Sequence, residues 1–258
     1  AKQANGSVLV TYGDTVVLVA ATAAKGSGEG ADFFPLSVFY VEKGYASGRI
    51  PGGFLKRESR LSDSETLISR IIDRPLRPAF EDNYLAETMI AATVLSHDLI
   101  HASDVAAMNG ASAALAISDI PFHNPLGGVR VGLFDGKFVT NPSPEELEVS
   151  ELNIFMAASK DAILMVEGES SGVSESVMLD ALWYGQEAVL PIIEMQEELM
   201  QSVGKKKRSV DVPLVDAELK SKIEAIAPKR LRDSLSIKDK IERYESLDSL
   251  RNEVCKEI

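Results

Sequence analysis

Residues 1–40 read as β-structure from the placement of their apolar positions. Within VLVTYGDTVVLVA, residues 8–12 and 15–20 are two short β-rich runs, and the turn dipeptide Gly13-Asp14 between them predicts a hairpin. A glycine-rich loop at 25–32 precedes a third strand at 34–41. Residues 44–53 form a long loop broken by Gly48, Pro51, Gly52 and Gly53. Ser62 with Glu65 three residues later is a capping-box pattern, and Asp63 favours the first turn. It opens a helix expected from Asp63 to Arg74, where Pro75 ends or kinks it.

Strands and helices continue beyond that point. Residues 83–95 are strand-like in places, and 103–118, SDVAAMNGASAALAIS, are a helix of small residues suited to close packing on a sheet. Two more hairpins are signalled: 127–132 with 137–140 across Asp135-Gly136, and 152–158 with 162–167 across 159–161. Residues 174–200 are a long amphipathic helical stretch holding the only tryptophan, Trp183, and Pro191 is expected to kink or split it. GKKKRSVD at 204–211 reads as a charged, flexible linker, and 212–258 as a small all-helical module without β signal. The expected organisation is an α+β domain over 1–203, a linker over 204–211 and a helical appendage over 212–258.

Composition narrows the class without naming it. A chain of 258 residues, 45% hydrophobic and 26% charged, is an ordinary globular protein with one large domain or one domain and an appendage. No run of about eighteen apolar residues is present, so no membrane span is expected. No signal peptide is visible, and the chain opens at Ala1 close to its first strand, as a truncated N-terminus would. One cysteine, Cys255, excludes an intramolecular disulfide and a cysteine-rich zinc site, and suits a reducing compartment such as the cytoplasm or, in a eukaryote, an organelle. Asn5-Gly6-Ser7 is read as a chance sequon.

Charge singles out one segment. The chain carries a net charge of −12, yet residues 41–80 hold eight Lys/Arg against five Asp/Glu, about +3, which leaves about −15 for the rest. A basic island in an acidic protein points to an anionic ligand. Arg70, Arg74 and Arg77 stand at i, i+4 and i+7, within roughly 60° of one another on a helix. Guanidinium forks suit phosphate oxygens, and several in line suit a polynucleotide backbone. The plain alternative is pairing with Asp73 and Glu65. Phe54-Leu55-Lys56-Arg57, with Arg60 after it, combines a ring that could stack on a base with cations for phosphates. A solvated turn with Phe54 packed inward explains the same residues.

Other signals are weaker. Residues 26–30 are glycine-rich without the Lys-Ser/Thr of a phosphate loop. Asn109 to Ala114 faintly resemble the phosphate loop of galactokinase-type small-molecule kinases, though helix–sheet packing explains them equally. His97 and His101 have i, i+4 spacing but no apparent third ligand. The acidic run PEELEVSE at 144–151 reads as a solvated surface segment.

GDTVVLVAATA, DFFPLSVFYVEKGYASGRIPGGFLKRESRLSDSETLISRIIDRPLRPAF and MNGASAALAISDIPF are similar to signature stretches of the bacterial-type polynucleotide phosphorylase family, in its first RNase PH-like core. The resemblance extends over essentially all 258 residues. It implies a ribosomal protein S5 domain 2-like (RNase PH-like) α+β core followed by a small all-α domain. It implies a parent that degrades RNA from the 3′ end with inorganic phosphate as co-substrate, requires Mg²⁺, works in mRNA degradation and assembles as a ring-shaped homotrimer, with partners in an RNA-degradation complex. In the family a Phe-Phe-Arg-Arg loop grips single-stranded RNA. Its counterpart here is Phe54, Leu55, Lys56 and Arg57, so one ring and one guanidinium fork are replaced. The arginines that follow match Arg60, Arg70, Arg74 and Arg77. The family's metal and phosphate site lies in a second core, so no catalytic or metal residue is assigned in this chain, which is expected to guide RNA and support assembly. Three alternatives stay open. One is a self-sufficient RNase PH-like exoribonuclease using Glu145 and Glu151. The second is a small-molecule kinase of related fold, and the third a purely architectural subunit.

Overall fold

A computed structural model describes residues 1–27, 33–51, 60–210 and 216–257. Strands β1 (Gly6–Tyr12) and β2 (Thr15–Ser27) form the expected hairpin, with Gly13 at φ +58° in the turn. β3 (Leu36–Glu42) leads through a 3₁₀ turn to helix α1 (Asp63–Leu76), and β4 (Ala86–Ser96) follows. The first sheet has the order β1-β2-β4-β3, antiparallel except for the parallel β3–β4 pair. Helix α2 (Ser103–Ile117) then precedes β5 (Gly127–Phe134) and β6 (Lys137–Thr140). Their turn residues Asp135 and Gly136 both have positive φ, +46° and +75°, as a two-residue hairpin whose twist matches its strands requires. A short helix α3 (Pro144–Leu147), strands β7 (Leu152–Ala158) and β8 (Ile163–Ser170), and helix α4 (Glu175–Val203) complete the unit. The second sheet, order β6-β5-β7-β8, is antiparallel throughout.

Helix α2 is the centre of the core, with thirteen of its fifteen residues buried. Its small side chains make that placement sterically feasible. A Cβ on Gly110 would come within 2.6 Å of Val19 Cγ2 and 2.8 Å of Val10 Cγ2, so glycine lets the helix lie directly on β1 and β2. Helix α4 packs on the second sheet through Val189 and Ile193, both fully buried with Val129, Val131, Ile154 and Met156.

Helix α1 ends one residue past Pro75, close to the expected stop, whereas α4 is not split at Pro191. α1 runs past Pro75 to Leu76 before a 3₁₀ turn, and α4 runs unbroken across Pro191 for 29 residues. Pro191 is exposed, so the carbonyl it leaves unpaired can be hydrated, while buried Val189 and Ile193 hold the helix on either side. Leu76, fully buried, does the same beyond Pro75.

The chain divides into compact units at Ala1–Val210 and Asp211–Ile258. Within residues 204–210, expected as a flexible linker, the segment is bonded to the first unit. Lys207 Nζ donates to the carbonyls of Leu115, Ala116 and Ser118 at 2.8–2.9 Å, capping the C-terminal end of α2. Arg208 donates to Asp119 at 2.8 Å and to the Ala24 carbonyl at 2.7 Å. The second unit is a pair of helices, α5 (Ala217–Leu235) and α6 (Lys240–Glu257), joined by Arg230 to Glu253 and Glu257 and by a 2.8 Å Ser234–Ser246 hydrogen bond. No helix among the described residues is long and apolar enough to cross a membrane.

Candidate nucleic-acid interface

Helix α1 is fixed to the first sheet at both ends. Ser62 Oγ accepts from the Glu65 N–H at 3.1 Å, and Glu65 accepts from the Ser62 N–H at 2.7 Å, completing the capping box. The other Glu65 oxygen accepts from the Glu42 N–H at 2.8 Å, at the end of β3. Burial alone would raise the Glu65 carboxyl. The backbone donors of Ser62 and Glu42, with the Ser62 hydroxyl and Lys43, overcome it and hold the group below the usual carboxylate range.

At the other end stands Arg77. Its Nε and Nη2 donate to the two Asp73 oxygens at 2.7 and 3.0 Å. Nη2 also donates to the Leu36 carbonyl at 2.8 Å and Nη1 to the Phe34 carbonyl at 3.1 Å. The fork of Arg77 is thus occupied within the fold, through the pairing with Asp73 that the sequence offered as the plain alternative. Arg74 Nη1 meets Glu167 Oε2 of β8 at 2.9 Å, with both side chains about half exposed, so that pair is exchangeable. Arg70 is exposed and has no hydrogen bond or ion pair among the described residues, and Arg60 is exposed. Phe54, Leu55, Lys56 and Arg57 lie outside the described residues.

Between α1 and the second sheet lies a cleft of about 270 Å³ lined by Ile71, Arg130, Asn153, Phe155, Glu167 and Glu169. Arg130 is largely buried at its floor. It donates to Asn153 Oδ1 at 2.6 Å, pairs with Asp104, and lies 5.7 Å from the Phe155 ring centroid. Nothing local in the sequence marks this group. Pairing of β5 with β7 sets Arg130 opposite Phe155 and close to Asn153, and α2 brings Asp104. The lining sets Glu167 and Glu169 beside its one cation, Arg130, and Glu167 also pairs with Arg74.

The weaker candidates acquire ordinary roles. Asn109 exchanges hydrogen bonds of 2.9 and 2.7 Å with the backbone of Gly128, inside α2 rather than at its start, so residues 109–114 form no phosphate loop. His101 Nδ1 lies 2.6 Å from Asp98. Burial would raise the Asp98 carboxyl, but the backbone N–H of His101, its ring, and the N–H groups of Ile100 and Asp14 hold it far below the usual range. Glu151 lines a shallow cleft with Glu148 and Glu169, whereas Glu145 sits in the first turn of α3 and does not line it. No group of three or more His, Cys, Asp or Glu among the described residues could hold a metal ion.

Residues 1–121 match the 3′ exoribonuclease family, domain 1, and residues 124–188 match its domain 2. The chain belongs to the 3′ exoribonuclease family. The polyribonucleotide nucleotidyltransferase of Geotalea uraniireducens (strain Rf4) is 51% identical over 253 residues, covering 98% of this chain and 36% of that protein. That of Legionella pneumophila (strain Paris) is 50% identical over 253 residues, covering 98% and 35%. This family member thus spans just over a third of the length of these curated relatives. Among solved structures, the Archaeoglobus fulgidus exosome with RNA bound to the active site superposes with a TM-score of 0.61 at 17% identity, over 76% of this chain and 84% of that one. That likeness establishes a shared RNase PH-like fold.

Proposed function

We propose that this chain is the first RNase PH-like core, with its helical module, of a phosphate-dependent 3′→5′ exoribonuclease. The identity of about 50% to polyribonucleotide nucleotidyltransferases across 98% of the chain carries this reading. In the parent, an oxygen of inorganic phosphate attacks the 3′-terminal phosphodiester. The bond from phosphorus to the penultimate nucleotide's 3′-oxygen breaks, that oxygen takes a proton to become the new 3′-hydroxyl, and the terminal nucleotide is released as a diphosphate. That chemistry, with its Mg²⁺, belongs to a second core. This chain positions single-stranded RNA through Phe54, Leu55, Lys56, Arg57, Arg60, Arg70 and Arg74, while Arg77 holds α1 on the first sheet. The parent works in the cytoplasm as a homotrimeric ring.

Two measurements on the purified chain test the proposal. Fluorescence anisotropy with a single-stranded RNA should show binding whose log–log salt slope is near −3, on the order of four phosphate contacts. Phe54→Ala should weaken it by about 1–3 kcal/mol with little change of slope. Incubation with RNA, phosphate and Mg²⁺ should release no diphosphates. Turnover by the chain alone would refute the division of labour, and a salt-independent affinity would refute the arginine path.

A further inference from the structure

The 3₁₀ turn after β3 (Gly44–Ser47) carries an aromatic ring that the fold does not use. The backbone of the turn is pinned. The Ala46 N–H donates to the Lys43 carbonyl at 2.8 Å, Gly48 to Tyr45 at 3.0 Å and Arg49 to Gly44 at 2.9 Å, and His97, just past β4, donates to Ala46 at 2.9 Å. Gly48 closes the turn at φ +66°, a conformation that glycine takes without strain. Ala46 packs against the core, whereas Tyr45 beside it is 60% exposed. The other tyrosines of the first unit are engaged. Tyr40 bonds Glu42 and Ser103, Tyr84 bonds Thr88, Tyr184 bonds Thr140, and the Tyr12 ring packs on His101. Among the described residues of that unit, Tyr45 alone has neither a ring contact nor a partner for its hydroxyl.

We propose that Tyr45 is a stacking platform for a base of single-stranded RNA, an inference that rests on the RNA-guiding role given above. Charge and position argue for that ligand. Residues 43–51, KGYASGRIP, hold Lys43 and Arg49 and no Asp or Glu, in a chain of net charge −12. Arg49 is exposed, and its guanidinium has no hydrogen bond or ion pair among the described residues. A ring flanked by cations suits a ligand that is itself a string of rings and phosphates. An apolar partner would cover the ring but leave the Arg49 charge without a complement. The turn also stands at the start of the arginine path. The Glu42 N–H is bonded to Glu65 in the first turn of α1, and Tyr45 lies three residues further on, a reach of about 10 Å at most. Arg70 follows Glu65 by five residues, about 7.5 Å along the helix. One strand of RNA can therefore stack on Tyr45 and continue along Arg70 and Arg74. The pinned turn fixes the backbone under the ring, so little conformational freedom is lost on stacking. Every base has a π-face, so the contact adds affinity without sequence preference.

Anisotropy titrations with a labelled single-stranded RNA and with labelled inorganic polyphosphate, a chain of phosphates without bases, test this. Tyr45→Leu keeps apolar bulk but not the ring. It should weaken RNA binding about tenfold with an unchanged salt slope and melting temperature, and should bind polyphosphate as wild type does. Tyr45→Phe should bind RNA like wild type, since the face of the ring and not its hydroxyl is used. Tyr244→Leu, at an exposed tyrosine of the second unit, is the control and should change nothing. Tyr45→Trp in a Trp183→Phe background gives a second readout that does not depend on the leucine variant folding well: RNA should quench its fluorescence and polyphosphate should not. A wild-type chain without RNA affinity overturns this inference together with the RNA-guiding role. A wild-type chain that binds RNA no better than Tyr45→Leu overturns the inference alone and leaves the ring to a protein contact. So does a loss that polyphosphate shares, which would trace to charge or folding.

Discussion

Replacing Arg77 separates a fold-holding arginine from an RNA-guiding one. Arg77→Ala removes two hydrogen bonds to the carbonyls of Phe34 and Leu36 and a two-pronged contact with Asp73. Each carbonyl bond is worth about 1 kcal/mol net. The Asp73 pair lies four residues away on the same helix and is 43% and 21% exposed at its two side chains, so solvent screening limits it to about 0.5 kcal/mol. The total is about 2–3 kcal/mol. For a unit of this size that lowers the melting temperature by roughly 4–12 °C. Arg77→Lys keeps the charge but not the fork and should lose most of the same stability. Arg70→Ala should leave the melting temperature unchanged and reduce the RNA salt slope by about 0.7, one phosphate contact on a single strand. Thermal denaturation and anisotropy titrations of the three variants decide the matter. An Arg77→Ala protein that melts like wild type but loses a unit of salt slope would refute the assignment.

Three further outcomes follow from the same geometry. Glu167→Gln releases Arg74 from its 2.9 Å partner and removes a negative charge from the cleft, so RNA affinity at low salt should rise several-fold; unchanged affinity would take Arg74 off the path. The Glu65 carboxyl is depressed in the fold, so its stabilisation is complete above its unfolded pKa and is lost as pH falls through the folded value. Glu65→Gln should therefore cost about 1–2 kcal/mol in urea denaturation at pH 7, and the gap should close in acid. Lys207→Met strips the cap from α2 and should cost about 1–3 kcal/mol while making residues 204–210 sensitive to protease; equal digestion rates would argue against an anchored segment.

Much of the architecture was readable from short stretches of chain because it depends on neighbours in sequence. Gly13 and Asp135-Gly136 mark their turns through their own backbone freedom. Ser62 and Glu65 announce a helix start because a capping box spans only four residues. The small residues of α2 foretell close packing because each lacks the bulk to prevent it. Pro191 did not split its helix, for the opposite reason. A missing N–H is a local loss, and whether the helix survives depends on distant burial, as with Val189 and Ile193 around Pro191.

The same division runs through the site. The sequence by itself determined that Arg70 and Arg74 share a helical face, since 3.6 residues per turn is a property of the backbone. It also revealed the acid close to Arg77, because Asp73 is one turn away. Only the tertiary structure decided which arginine remains open. Glu167 reaches Arg74 across 93 residues of sequence, and the carbonyls of Phe34 and Leu36 reach Arg77 across more than forty. Backbone carbonyls carry no residue-specific signature, and long-range pairing is set by how sheets and helices stack.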